Sequence, residues 1–190
     1  MIRRAMVLTL GALALVPLAG CTKAADKTDA TATEPGAATL TAAITGAPGM
    51  STAAAALKST GLGTVFDGTA PYTVLVPQDD AFGALGDTGA TLKAPENGAA
   101  MAAVLKAHVL PGYMTVADIG AALTRAKGKP VRMTTMAGSE VIFTRSGEAI
   151  AVTAADGSTA KVSGSELTAG NGVAIPVDAV LKKIPATSAG

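Results

Sequence analysis

Tryptophan is absent from this 190-residue chain, cysteine and histidine occur once each, and aromatic residues make up only 3 % of it. Charged residues reach 15 %, below the usual share for a soluble domain. Each shortage removes a class of function. The single cysteine, Cys21, permits no internal disulfide and leaves the chain beyond it without a thiol for catalysis. The single histidine, His108, excludes multi-histidine metal sites and makes any serine–histidine chemistry depend on that one residue. No phosphate-binding glycine loop, Gly-x-Ser-x-Gly elbow or dinucleotide fingerprint occurs. The expectation is a protein that is not an enzyme and holds no cofactor and no metal.

What is present begins with a three-part leader. Arg3 and Arg4 make a positive start, residues 5–16 are almost wholly apolar, and Pro17 interrupts the run before Leu18-Ala19-Gly20-Cys21. A spanning helix requires about 20 apolar residues, so this shorter run reads as a signal peptide over residues 1–20. Its Leu-Ala-Gly-Cys ending resembles the bacterial lipobox. That resemblance implies a lipid on Cys21, cleavage just before it and acylation of the new amino group, an anchor that several chains together make stable. In lipoproteins of this kind, a residue such as Thr22 (rather than Asp) after the cysteine implies the outer membrane of a Gram-negative host, on its periplasmic or surface face. Loss of the leader removes two of the 15 basic residues, leaving 13 against 14 acidic ones and a formal charge of −1. That balance supplies no basic surplus for a nucleic-acid partner.

Residues 21–39 comprise the lipidated cysteine and an Ala-, Thr-, Lys- and Asp-rich tether with no large apolar side chain. Such a stretch buries too little surface to offset its ordering entropy, and its root-mean-square span would be roughly 25 Å. One domain is expected over residues 40–184, and residues 185–190 form a light tail. The domain reads helical first and extended later. Ser51 suits the cap of a helix reaching Lys58, and Tyr72-Thr73-Val74-Leu75-Val76-Pro77 is a short buried strand. Asp79 or Asp80 suits the cap of a short helix carrying Ala81, Phe82 and Leu85. Met101, Val104, Leu105 and His108 form one apolar stripe on a helix over 97–108. Thr115 and Asp118 approximate a capping box for the next helix. After Pro130 the period becomes two: strands over 131–136, 141–145, 149–153 and 159–163 make a meander, and a last strand spans 173–181. The fold class is α+β.

Three segments carry a family resemblance. Tyr72-Thr73-Val74-Leu75-Val76-Pro77-Gln78-Asp79-Asp80-Ala81-Phe82 is similar to the first signature box of the fasciclin-like domain. His108-Val109-Leu110-Pro111-Gly112 resembles its central segment, and Asn171-Gly172-Val173 through Asp178-Ala179-Val180-Leu181 resembles its second box. Order and spacing agree over about residues 40–184. The resemblance implies a wedge-like β-sandwich with helices packed along one edge, and a non-catalytic module for adhesion or contact with a surface protein or polysaccharide. Ala107 stands where the family usually has a tyrosine before the central histidine, a pair tied to adhesion in animal members. Pro176 stands where a histidine or aromatic residue is common; because proline donates no ladder hydrogen bond, the strand there is expected to be an edge or bulged. Glu166-Leu167 occupies the place of an acidic–aliphatic pair also tied to adhesion, so Glu166, Leu167 and His108 are the candidate interaction residues.

The remaining candidates have plainer readings. His108 on the apolar stripe suits a hydrogen-bonded core histidine. Asp79 and Asp80 are neighbours on a helix and do not face each other, so capping suits them better than acid–base work. Asp178 suits a backbone hydrogen bond near its strand end. Ser158-Thr159-Ala160-Lys161 spells a Ser-x-x-Lys pattern, but that chemistry requires a helix, and these residues follow an Asp156-Gly157 turn. Two functions remain open: a lipid-anchored surface-binding module, or a periplasmic stress or small-ligand protein with a pocket between sheets and helices.

Overall fold

The computed structural model describes residues 38–184. The leader, Cys21, the tether up to residue 37 and the expected tail lie outside the described residues. The first half is mainly helical: α1 (Leu40–Gly46), α2 (Ser51–Thr60) and α3 (Leu62–Phe66) precede β1 (Tyr72–Pro77), then come α4 (Asp79–Gly83), α5 (Gly86–Lys93), a 3-10 turn (Pro95–Asn97) and α6 (Gly98–Ala107). β2 (Val109–Pro111) and α7 (Val116–Arg125) lead into β3 (Val131–Thr134), β4 (Glu140–Ser146), β5 (Ala149–Ala154), β6 (Thr159–Lys161), β7 (Leu167–Ala169) and β8 (Gly172–Val177). The strands form two 4-stranded sheets, ordered β2-β1-β8-β7 and β3-β4-β5-β6. In the first, β1 and β8 run parallel while the outer pairs are antiparallel. The second is the antiparallel meander that the period-two pattern predicts.

The two sheets and the helices form three layers, and the burial pattern shows why. β1 and β8 are buried at nearly every position, the mark of strands covered on both faces. Alternation then divides their side chains. Val74, Val76 and Ala174 pack with Leu40, Ile44, Leu57, Phe66 and Phe82 of the helices. Leu75, Val173, Ile175 and Val177 pack with Val141, Phe143 and Val152 of the meander, and with Ile119 and Leu123 of α7. Fully burying one such side chain contributes about 1.5–3 kcal/mol, so the first sheet is the member that joins both cores. β4 and β5 alternate instead, because only one face of their sheet is covered.

Several local expectations are revised. The last strand stops at Val177 rather than residue 181. Beyond it, Asp178 Oδ1 accepts from the Lys161 N–H at 2.7 Å, while its own N–H donates to the Lys161 carbonyl at 3.1 Å. At Pro176 β8 is locally an edge, as expected, although the strand as a whole lies between β1 and β7. β7 pairs with β8 only as far as Ala174, and on the side it leaves open the Pro176 carbonyl accepts from the Ser163 N–H at 2.9 Å. Thr39, where the expected tether ends, caps α1 through its hydroxyl. The capping box of α7 is present as read, with the Thr115 and Asp118 side chains each engaging the other's backbone N–H.

Candidate functional site

The signature residues are best understood from what each side chain bonds to. Thr73 on β1 is fully buried. Its hydroxyl donates to the Gly112 carbonyl at 2.8 Å and accepts from the Met114 N–H at 2.9 Å, clamping the turn after β2 to the central sheet. Asp79 does not cap its own helix, where Gln78 is the cap residue; the Gln78 side chain makes no capping bond and instead accepts from the Ser163 hydroxyl at 3.0 Å. Its carboxylate reaches back to α2, accepting from the Ser51 hydroxyl at 2.8 Å, the Ser51 N–H at 3.2 Å and the Thr52 N–H at 2.7 Å. Ser51 is therefore the first residue of α2, not its cap. Burial pushes the Asp79 carboxyl up, but the bonds from Thr52 and Ser51 outweigh it and hold the group below the ordinary carboxylate value.

His108 sits at the C-terminal end of α6 with none of its surface exposed. Nδ1 lies 2.8 Å from the Val104 carbonyl, which can only accept, so the proton is on Nδ1. Nε2 then accepts from the Leu181 N–H at 2.8 Å. The ring thus ties the last turn of α6 to the chain after β8, and both nitrogens are satisfied in the neutral form. Burial lowers its pKa to about 4, against upward pulls from the Val104 carbonyl and the Asp156 carboxylate. A side chain so enclosed offers no contact surface, which removes His108 from the candidate interaction residues.

Asn171 and Gly172 explain the second box. Asn171 Nδ2 donates to the Phe66 carbonyl at 2.6 Å and the Gly68 carbonyl at 2.9 Å, and Oδ1 accepts from the Leu40 N–H at 2.8 Å. One amide therefore joins α1, the loop after α3 and the β7–β8 turn. At Gly172 a Cβ would collide with the Tyr72 carbonyl and the Leu40 side chain, so glycine is required by close approach and not by an unusual φ. Glu166 and Leu167 are half-buried. The Glu166 carboxylate accepts from the Val116 N–H, the first donor of α7, at 2.5 Å, and Leu167 pairs across β7–β8 with Ala174. Both have internal structural work in addition to what surface they present. Ser158 Oγ donates to Asp156 at 2.6 Å in a turn, and Lys161 lies at the end of β6; no helix brings the two onto one face. Cys21 is outside the described residues.

These bonds leave little reactive. Among the described residues no buried side-chain nitrogen or oxygen lacks a partner, and no group of three or more His, Cys, Asp or Glu is arranged to hold a metal. Two open grooves flank α2, a feature with no signal in the local sequence pattern. One, of about 500 Å³, lies between α2 and the α5–α6 segment and includes Ser51, Ser59, Lys93 and Met101. The other, of about 400 Å³, lies between α2, α1 and α3 and includes Thr41, Lys58 and Asp67. Both lie between helices, not between sheets and helices. Among the described residues no helix is long and apolar enough to cross a membrane.

Comparison with known proteins agrees with the architecture. The Fasciclin domain family profile matches residues 48–183. A curated relative, Protein sll1483 of Synechocystis sp., is 39 % identical over 70 residues, covering 36 % of this chain and 39 % of the relative. Among solved structures, a FAS1 domain pair from the insect cell adhesion molecule Fasciclin I superposes with a TM-score of 0.67 at 15 % identity, covering 78 % of this chain and 52 % of that one. The chain thus spans about half the length of that solved structure and a smaller share of the curated relative.

Proposed function

This chain belongs to the fasciclin family, and from that premise we propose that it is a non-catalytic binding protein of the cell envelope, anchored by a lipid on Cys21. Fasciclin domains are generally non-catalytic. The observation that carries the reading here is the use made of the signature side chains. Thr73, Asp79, His108 and Asn171 all bond inward, to backbone groups that hold the fold. They specify a shape and leave function to the exterior. The origin of the solved neighbour in a cell adhesion molecule, together with the leader and its lipobox-like ending, supports attachment to a surface partner, a protein or a polysaccharide, from the outer membrane. Many copies on one membrane would add avidity to a weak single contact.

The test compares cells with the intact gene, without it, and with Cys21→Ser. The anchored form partitions with membranes and promotes attachment or aggregation. A Cys21→Ser product that still fractionates wholly with membranes would overturn the anchor, and unchanged attachment after deletion would overturn the adhesive role. The small-ligand reading rests on the larger groove beside α2. A marked rise in melting temperature with one metabolite would favour it.

A further inference from the structure

We propose that the partner is a carboxylate-bearing polysaccharide and that the domain holds it with a cluster of cations, Arg125, Lys127, Lys129 and Arg145. This deepens the surface-binding reading above and rests on it.

Charge is unevenly placed along the fold. Between Asp118 and Glu140 the chain carries Arg125, Lys127, Lys129 and Arg132 and no acidic residue, whereas Asp67, Asp79, Asp80, Asp87 and Glu96 accumulate earlier against Lys93. The topology gathers the cations. Arg125 ends α7, and Lys127 and Lys129 lie in the turn that follows; Arg132 on β3 alternates with the inward Val131 and Met133, faces the other side of the meander and is not part of the cluster. Val131 pairs with Phe143, so Lys129, two residues before Val131, and Arg145, two residues after Phe143, flank the same end of the β3–β4 ladder. Arg145 Nη2 donates to the Gly120 carbonyl at 3.3 Å, which lays its guanidinium against α7. All four side chains belong to exposed residues. Arg132, on that other side, pairs with Glu140.

Lys127 adds a second observation. Its φ of 54° makes it the one non-glycine residue with positive φ among the described residues, and Gly128 beside it has φ 79°. Glycine is the default at such a helix end; here a lysine is held in a strained conformation with its ammonium in water.

The remainder of the surface narrows the partner. Val65 is the one large hydrophobic residue exposed among those described, and it lies on α3, away in sequence from the cations. Protein interfaces draw their energy from buried aromatic and apolar anchors, and firm docking on a lipid surface adds inserted apolar side chains to any attraction by charge. Neither accompanies this patch. No exposed aromatic ring is present among the described residues on which a neutral sugar could stack. Repeated carboxylates on a flexible polymer need only spaced cations, and several weak contacts along one chain add up.

The test uses the purified full chain in detergent, titrated with polygalacturonate, with dextran as the neutral polymer and with phosphatidylglycerol vesicles. Polygalacturonate should bind at low ionic strength and weaken at least about tenfold as salt rises from about 0.02 M to about 0.3 M, because exposed charges are screened. Dextran should not bind. The combined Arg125→Ala, Lys127→Gly and Lys129→Ala variant should bind about tenfold to thirtyfold more weakly with an unchanged or raised melting temperature, each exposed contact being modest; Lys106→Ala should bind as the parent does. Lys127→Gly alone, which relieves its own backbone, should weaken binding severalfold without loss of stability, so a collapse of the triple variant cannot mask the answer. Equal binding by the variants, absence of polygalacturonate binding, or binding to vesicles alone overturns the proposal. In those cases a gene deletion that still reduces attachment leaves the surface-binding reading standing, whereas a deletion without effect removes both.

Discussion

Replacing His108 with alanine tests whether this residue is part of the fold's internal bonding. The substitution empties a fully buried site and strands two partners, the Val104 carbonyl and the Leu181 N–H. Cavity formation and two unsatisfied buried groups together cost about 3–5 kcal/mol near neutral pH, a large part of the 5–15 kcal/mol that holds a typical domain folded. The pH dependence gives the sharper test. In the unfolded chain an imidazole titrates near 6.5, whereas in the fold its pKa is about 4. The unfolded state thus takes up the proton first. Stability is complete above about 6.5, declines as the pH falls, and levels off below about 4. That gap corresponds to about 3 kcal/mol. His108 is the only histidine, and the lowered carboxyls of Asp79, Asp118 and Asp156 lose their contribution only below 3.8. The window from about 6.5 to 4 therefore reports on one ring. Urea unfolding followed by far-ultraviolet circular dichroism, a suitable probe for a chain without tryptophan, should show a deficit for His108→Ala that is largest at pH 7 and smaller by about 3 kcal/mol at pH 4. A deficit of constant size across that range would refute the bonding scheme.

Three further outcomes follow from the same contacts. Asn171→Ala removes one amide from two carbonyls and an N–H, and should cost about 2–4 kcal/mol in chemical unfolding. Asp79→Ala uncaps α2 from a distance and should cost about 1–2 kcal/mol at pH 7. Because that carboxyl is lowered, the difference from the parent should shrink as the pH is taken below 3.8. Lys127→Gly should leave stability unchanged or raise it by up to about 1 kcal/mol, since only the left-handed backbone is relieved while the unfolded chain gains freedom; a clear loss in thermal unfolding would show that the lysine side chain holds the turn.

Legibility in the sequence followed the physics of burial. The meander showed itself because one of its faces is covered and the other is not, which writes a period of two into β4 and β5. β1 stood out as an unbroken apolar run for the complementary reason, burial on both faces. The three-residue strands β2 and β7 escaped notice because nothing local marks so short a strand; each exists by virtue of its partner, Val74 opposite Val109 in one case and Val173 opposite Thr168 in the other. α1 escaped because its Ala- and Thr-rich composition continues that of the segment before it, and only Leu40 and Ile44 bury. Asp79 was legible as a capping residue but not as the cap of α2, since spacing along the chain says nothing of a bond that closes over 27 residues. Pro176 was legible as a local edge because proline cannot donate to a ladder, but that the edge arises from β7 stopping short within a strand that is otherwise internal was not. The grooves beside α2 and the cation cluster are products of tertiary placement, with only the acid-free interval between Asp118 and Glu140 visible beforehand.

The most direct measurement is attachment of whole cells to a surface coated with their own envelope polysaccharide, comparing the gene deletion with the same strain complemented by the full chain. Restored retention by the complemented strain, and its failure with Cys21→Ser, is the outcome the account predicts. Equal retention by all three strains would contradict it.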